Sequence, residues 1–431
     1  MLSKILYILL ALVILMVLIT VHEFGHYIAG KIFKFKINEF AIGFGKAIYK
    51  KTRKSGEVFS IRILPLGGYC AFEGEDEENP GHDAFNSKPA WQRLIVLFSG
   101  VFFNFIFGVL TSAIYLMVAG YGVPVVGSVR SETISQNLLV GDKIVAVNNR
   151  TIEAYRPVTD LLSDYSSDAG LTLTIEREGE TFDIYVEKIN VESGYFFVSD
   201  TTKIYENLYI TSDGGTTFES YSLDTFKQDI IDAAVQVNQD ESKEPVLLQD
   251  YYRLIKNEAG EDTYEKYTAS QMVADKVLAF GGEGTSLGIV YYQVAEKYGF
   301  FESLGKAWPF AFYICKVILG ALGGIFTGAT ALKDLGGTIT TISTIAEFSA
   351  INPLMILYLF PMLSLNLAIF NILPIPALDG ARMCFVLWEA ITKKPVNRKV
   401  EGIIHTVGLF VLLGLVLFLD VYHMIIAPLI S

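Results

Sequence analysis

Cysteine is nearly absent from this chain of 431 residues. Cys70, Cys315 and Cys384 stand far apart with no CxxC pair, which excludes a disulfide framework and a thiolate zinc site. Basic charge is also scarce. Thirty-four Lys and Arg face 46 Asp and Glu, for a net charge of -12 and a pI near 5.0. That is the wrong sign for neutralising phosphates, so no nucleic-acid partner is expected. No internal repeat is visible, whereas transporters are commonly built from duplicated halves. What the chain has in excess is apolar character: 52% hydrophobic residues and a mean hydropathy of +0.41, which points to several bilayer spans.

Runs of about 20 apolar residues cross the hydrocarbon core as helices. Four are expected: 5–29, 94–118, 353–373 and 403–426. The first is too long for the apolar core of a signal peptide and carries His22, Glu23 and His26, so it is read as a retained span. Lys31, Lys34, Lys36, Lys46, Lys50, Lys51, Arg53 and Lys54 follow span one. Arg382, Lys393, Lys394, Arg398 and Lys399 separate the last two spans. Basic loops face the cytoplasm, so both belong on that side. This parity requires the further apolar stretch 307–325, with Lys306, Pro309 and Lys316 at or in it, to lie along the interface or fold back, and it places both termini outside.

His22-Glu23-Phe24-Gly25-His26 is an HExxH motif. Two imidazoles one helical turn apart can both reach a Zn²⁺ ion, and the Glu between them is placed to deprotonate a zinc-bound water. A bare HExxH also arises by chance in soluble helices. Inside a membrane helix, however, ionisable groups are costly unless they serve a site. A catalytic zinc usually has three protein ligands. His82, His405 and His423 lie in a polar loop or at unfavourable depths. Asp379, just past the cytoplasmic end of the third span, shares the bilayer side of His22 and His26 and is the better third ligand. Pro374 and Pro376 break the helix before it, as at the edge of a polar cavity.

Several motifs together resemble the site-2 protease family of bacterial regulated intramembrane proteolysis, over roughly 1–200 and 284–428. They are the HExxH, Pro65-Leu66-Gly67-Gly68-Tyr69, the GxxxN from Gly100 to Asn104, Lys333-Asp334-Leu335-Gly336-Gly337, and the NxxPxPxLDG from Asn371 to Gly380. Val101 and Thr338 stand where relatives often have Pro. The resemblance implies a zinc metalloendopeptidase of the cytoplasmic membrane with His22, His26 and Asp379 on Zn²⁺ and Glu23 as acid/base. It also implies that Asn371, Gly67, Gly68, Tyr69 and Pro374 contact substrate and that Asn104 has a substrate-binding or active-site role. The substrates it implies are single-span membrane proteins such as anti-sigma factors or remnant signal peptides. An intramembrane metal transporter and an inactive membrane-anchored scaffold are the competing readings. The absence of a repeat and the presence of Glu23 speak against the first, and the intact ligand set against the second.

The expected fold is a polytopic α-helical membrane protein with a membrane-associated β-hairpin and an extracytoplasmic β-rich domain. Residues 1–120 form the first membrane part, with strands at 37–44, 47–50 and 58–63. A peptide must be extended to be cut, and a sheet edge beside the membrane can hold it so. Residues 121–199 resemble a PDZ domain through Gly141-Asp142-Lys143-Ile144 to Asn148, with Gln136-Asn137-Leu138 in place of the usual Ala-Gly-Leu. Residues 200–283 are an acidic insertion with one amphipathic helix near 226–237. Residues 284–300 return to the PDZ-like domain, 301–350 are an interfacial helix and linker, and 351–431 complete the membrane core.

Overall fold

The structure, a computed structural model, describes residues 2–75, 84–129, 138–139, 141–163, 170–186, 189–191, 196–198, 208–211, 217–221, 250–256, 262–268, 271–272, 278–280, 284–286, 289–328, 354–394 and 396–422. The expected helix at 226–237, His82, His423 and the Lys333 to Gly337 stretch fall outside them. The chain divides into a first unit, 1–120 with 297–431, and a second, 121–296.

In the first unit, unbroken apolar runs become helices, which satisfy their own backbone polar groups where lipid cannot. They are α1 (Leu2–Ile32) and α2 (Ala90–Val118). His26 meets Val96 and His22 meets Asn104, so the two helices run antiparallel. Glycines let them touch: a Cβ on Gly25 would lie 2.4 Å from the Ser99 carbonyl oxygen. Between them, β1 (Ile37–Thr52) and β2 (Val58–Phe72) pair antiparallel. The expected break near Gly45 does not occur. Gly43 and Gly45 take positive φ and turn β1 without ending it, so residues 39–42 pair with both 58–61 and 68–71. Buried Glu57 ties this sheet to α1, accepting from Tyr27 Oη at 3.0 Å and pairing with Lys31 and Arg53.

The C-terminal part supplies α5 (Met355–Ile372), α6 (Asp379–Thr392) and α7 (Arg398–Val421), preceded by α4 (Phe300–Thr327). α7 starts at Asn397, whose side chain accepts from the amides of Lys399 and Val400. α5 lies against α2: Tyr115 meets Tyr358, and Ser364 Oγ donates to the Asn104 carbonyl at 2.7 Å. It therefore runs parallel to α1.

Two features of the expected spans change. By length and composition, α1 from Leu9, α2, α4 over Phe300–Ile325, and α7 are long and apolar enough to cross a membrane, while α5 is a shorter apolar helix. At ~1.5 Å per residue its 18 residues extend about 27 Å, close to a hydrocarbon thickness of about 30 Å. The stretch expected along the interface lies within α4, a continuous helix despite Pro309, with Phe310 stacked on Tyr115 and with Trp308 and Phe312 against Phe105. The end of α2 and the start of α5 lie at the same end of the bundle.

In the second unit, β3 (Tyr121–Val129), β4 (Lys143–Val147), β5 (Arg150–Thr151), β6 (Leu171–Arg177) and β7 (Glu180–Val186) join a sheet with the short helix α3 (Val158–Ser163) nearby. The core is Val126, Ile144, Val147, Val158, Leu173 and Ile175 with their neighbours. Further strands are β8 (Ile189–Val191), β9 (Phe196–Val198), β10 (Tyr209–Ile210), β11 (Glu219–Ser220), β12 (Tyr252–Lys256), β13 (Asp262–Lys266), β14 (Leu278–Phe280), β15 (Gly284–Ser286) and β16 (Ile289–Glu296). β16 returns to pair with β3, giving the order β16-β3-β4-β6-β7, while β11-β10-β12-β13 form a separate sheet.

Candidate metal centre

His22 and His26 project from one face of α1 with their Nε2 atoms 3.1 Å apart. Asp379 reaches them from the first turn of α6, with Oδ2 2.9 Å from His22 Nε2 and 3.2 Å from His26 Nε2. The bend from Leu373 to Leu378 brings it there. A Cβ on Gly380 would lie 2.1 Å from the Leu373 carbonyl oxygen, and Ala377 sits at φ +78° with its amide donating to His405 Nδ1 at 3.0 Å. Only glycine permits so close a return.

His26 Nδ1 lies 2.8 Å from the Val96 carbonyl and must carry its proton there. The neutral ring then presents a lone pair at Nε2, facing a second imidazole nitrogen and a carboxylate oxygen. With His22 protonated at Nδ1, three acceptors converge on one point, as the ligands of a cation do. Bonds of about 2.0–2.1 Å to a tetrahedral ion set neighbouring ligand atoms about 3.3 Å apart, close to the spacing found. The residues present thus fit zinc. Among the described residues, this trio is the one group of His, Cys, Asp and Glu able to hold a metal.

The profile of peptidase family M50 matches residues 10–415. The chain belongs to peptidase family M50. It resembles the "Regulator of sigma E protease" of Haemophilus influenzae, at 28% identity over 93% of this chain and 95% of that protein. It is equally 28% identical to the "Regulator of sigma-E protease RseP" of Escherichia coli, over 95% and 97% of the two chains. A Fusobacterium nucleatum protein named as a zinc metalloprotease is 26% identical over 96% and 97%. This M50 peptidase is a zinc metalloprotease with several apolar helices long enough to span a membrane.

Glu23 stands beside the cluster, and its Oε2 accepts from the backbone amide of Cys70 on β2 at 3.0 Å. Burial, reinforced by the Glu23 carboxylate, pushes the Cys70 thiol well up, so the cysteine beside Glu23 is not a thiolate nucleophile. Gly68 lies 3.8 Å from Glu23 Cγ by its constructed Cβ, and Gly67 sits at φ +138° under Phe44. The ring of Tyr69 lies under the Arg62 guanidinium, which also donates to Glu39. Asn371 ends α5, half-buried, and Pro374 is exposed in the bend.

Asn104 is fully buried and faces His22, with Nδ2 3.4 Å from Nδ1. Three contributors were invisible to motif reading: the Cys70 amide, the Val96 carbonyl and the close approach at Gly25. The first two are backbone groups without a side-chain signature. A glycine inside HExxH opposite the glycine of GxxxN was the available signal for the third.

Proposed function

We propose that His22, His26 and Asp379 hold the zinc ion of this M50 protease and that Glu23 is its acid/base, acting on membrane-spanning segments of single-span proteins. The observation that carries this is the convergence of the three ligand atoms within 2.9–3.2 Å beside Glu23. Zinc, when bound, lowers the pKa of its water and polarises the scissile carbonyl. Glu23 takes the proton of the attacking water and delivers it to the leaving amine. The Cys70 amide fixes the carboxylate at the sheet edge. An extended substrate adds to that edge along Gly67, Gly68 and Tyr69 by main-chain hydrogen bonds, with Asn371 and Pro374 bordering it across the bend.

The basic residues that follow α1 and α5 support a site near the cytoplasmic face of a bacterial inner membrane. The second unit is the PDZ-like, extracytoplasmic part. Relatives named as regulators of sigma E favour an anti-sigma factor as substrate, and remnant signal peptides share its single-span form. Glu23→Gln should retain one zinc per chain and lose cleavage of a reconstituted single-span substrate. Full cleavage by that variant would sink the mechanism.

A further inference from the structure

The two imidazoles of the cluster are not held in the same way. His26 gives its Nδ1 proton to a backbone carbonyl of α2, at Val96. His22 directs Nε2 toward Asp379, so as a metal ligand it carries its proton on Nδ1. That proton points at Asn104 of α2, the amide nitrogen being 3.4 Å away. Two donors would then face each other, while Asn104 Oδ1 is buried with no hydrogen-bond partner. The nitrogen and oxygen of a carboxamide are told apart only by their partners. Exchanging them ends the clash of donors, because the carboxamide oxygen then accepts the His22 Nδ1 proton and the nitrogen takes the other position.

The surroundings fix Asn104 for this task. It is 0% exposed, and its own carbonyl accepts from Ser364 Oγ on α5 at 2.7 Å, which pins the backbone where the side chain departs. Gly100, one turn earlier on α2, leaves the space in which both rings stand. α2 therefore approaches the cluster with a glycine, a carbonyl and a carboxamide.

We infer that Asn104 is a positioning residue: its carboxamide oxygen accepts from His22 Nδ1, setting the tautomer and ring plane that turn Nε2 toward the metal. Such outer partners tune metal affinity by about 10- to 100-fold. The inference rests on His22 being a ligand, as proposed above.

The test is zinc affinity of the full chain in nanodiscs, by competition with a chromophoric chelator. Asn104→Leu, near in size without an acceptor, is expected to weaken binding by about 10- to 100-fold. Asn104→Asp, which restores an acceptor, is expected to stay within a few-fold of the parent. Packing alone does not distinguish Asp from Leu in that direction. Asn104→Ala serves in place of Asn104→Leu if the latter does not insert. Affinity unchanged in the acceptor-free variant, or lost equally in Asn104→Asp, overturns the role. His22→Phe separates the two levels: if it binds zinc as tightly as the parent, the ligand assignment itself fails. If it loses zinc while Asn104→Leu does not, only the Asn104 inference does.

Discussion

Replacing Gly100 with Ala puts one methyl group into the metal centre. The added Cβ would stand 2.6 Å from His26 Cε1 and Nε2 and 2.7 Å from His22 Cε1, where ordinary contact begins at 3.4 Å. The rings must retreat by ~0.8 Å, the difference between 3.4 and 2.6 Å. Metal–ligand distances tolerate about 0.2 Å, so the shift is roughly four times what the site can absorb. A misplacement near 1 Å at a reacting centre costs about 10²-fold in rate. The helix itself is not weakened, since Ala is better than Gly in a helix by ~1 kcal/mol. Gly100→Ala should therefore reach the membrane folded, hold zinc poorly and lose about two orders of magnitude in kcat/KM on a reconstituted single-span substrate. The comparator is Gly108→Ala on the same helix, whose Cβ meets the Leu365 side chain at 2.7 Å. Overpacking there costs about 1–3 kcal/mol of stability but leaves activity per folded molecule intact. Parental cleavage and zinc content in Gly100→Ala would refute the reasoning, and equal losses in both variants would assign the effect to helix packing.

Two further outcomes follow from ion pairs away from the metal. Glu389 is buried between Arg93, at 2.7 Å, and Arg398, at 2.5 Å, and also accepts from the Val396 amide. Glu389→Gln leaves the buried Arg93 guanidinium short of a counter-charge, while Arg398 keeps Glu401 at 2.6 Å, and should cost about 3–5 kcal/mol; an unchanged thermal midpoint in detergent would contradict this. On the sheet, burial opposes the charge of Glu39, but hydrogen bonds from Ser60, Arg62 and Tyr69 outweigh it and hold its carboxyl below the ordinary carboxylate value. A depressed folded value means the contribution is fully present above the ordinary carboxylate range and disappears as pH falls through the lowered one. The protection of β1 and β2 amides relative to intrinsic exchange at each pH should fall on acidification through that range, and Glu39→Gln should remove the dependence.

The HExxH was legible because its chemistry lies in side chains at a fixed helical spacing. Asp379 was legible through loop charge: two basic loops on one side make α1 and α5 parallel, and the Tyr115–Tyr358 and Ser364–Asn104 contacts show them so. Gly43 and Gly45 misled because positive φ can end a strand or merely bend it, and pairing with both 58–61 and 68–71 decides which. Loop-charge parity set 307–325 along the interface or folded back, and the structure shows α4 as a continuous helix of 28 residues packed through its aromatics on α2. The Glu23–Cys70 bond depends on where a sheet edge docks, a tertiary outcome that no local pattern encodes.

His22 and Asp379 are separated by 357 residues, so an ion held between them ties the chain into a ring that contains the sheet, α2, the whole second unit and α5. The ion acts as a reversible cross-link between the two ends of the polymer, and its binding bears the entropy of closing that ring. Closure cost grows only with the logarithm of ring size. Removing the 84 residues of 200–283 would shrink the ring from 357 to 273 and change the cost by about 0.2 kcal/mol. The second unit can thus be lengthened or trimmed with almost no closure penalty at the cross-link.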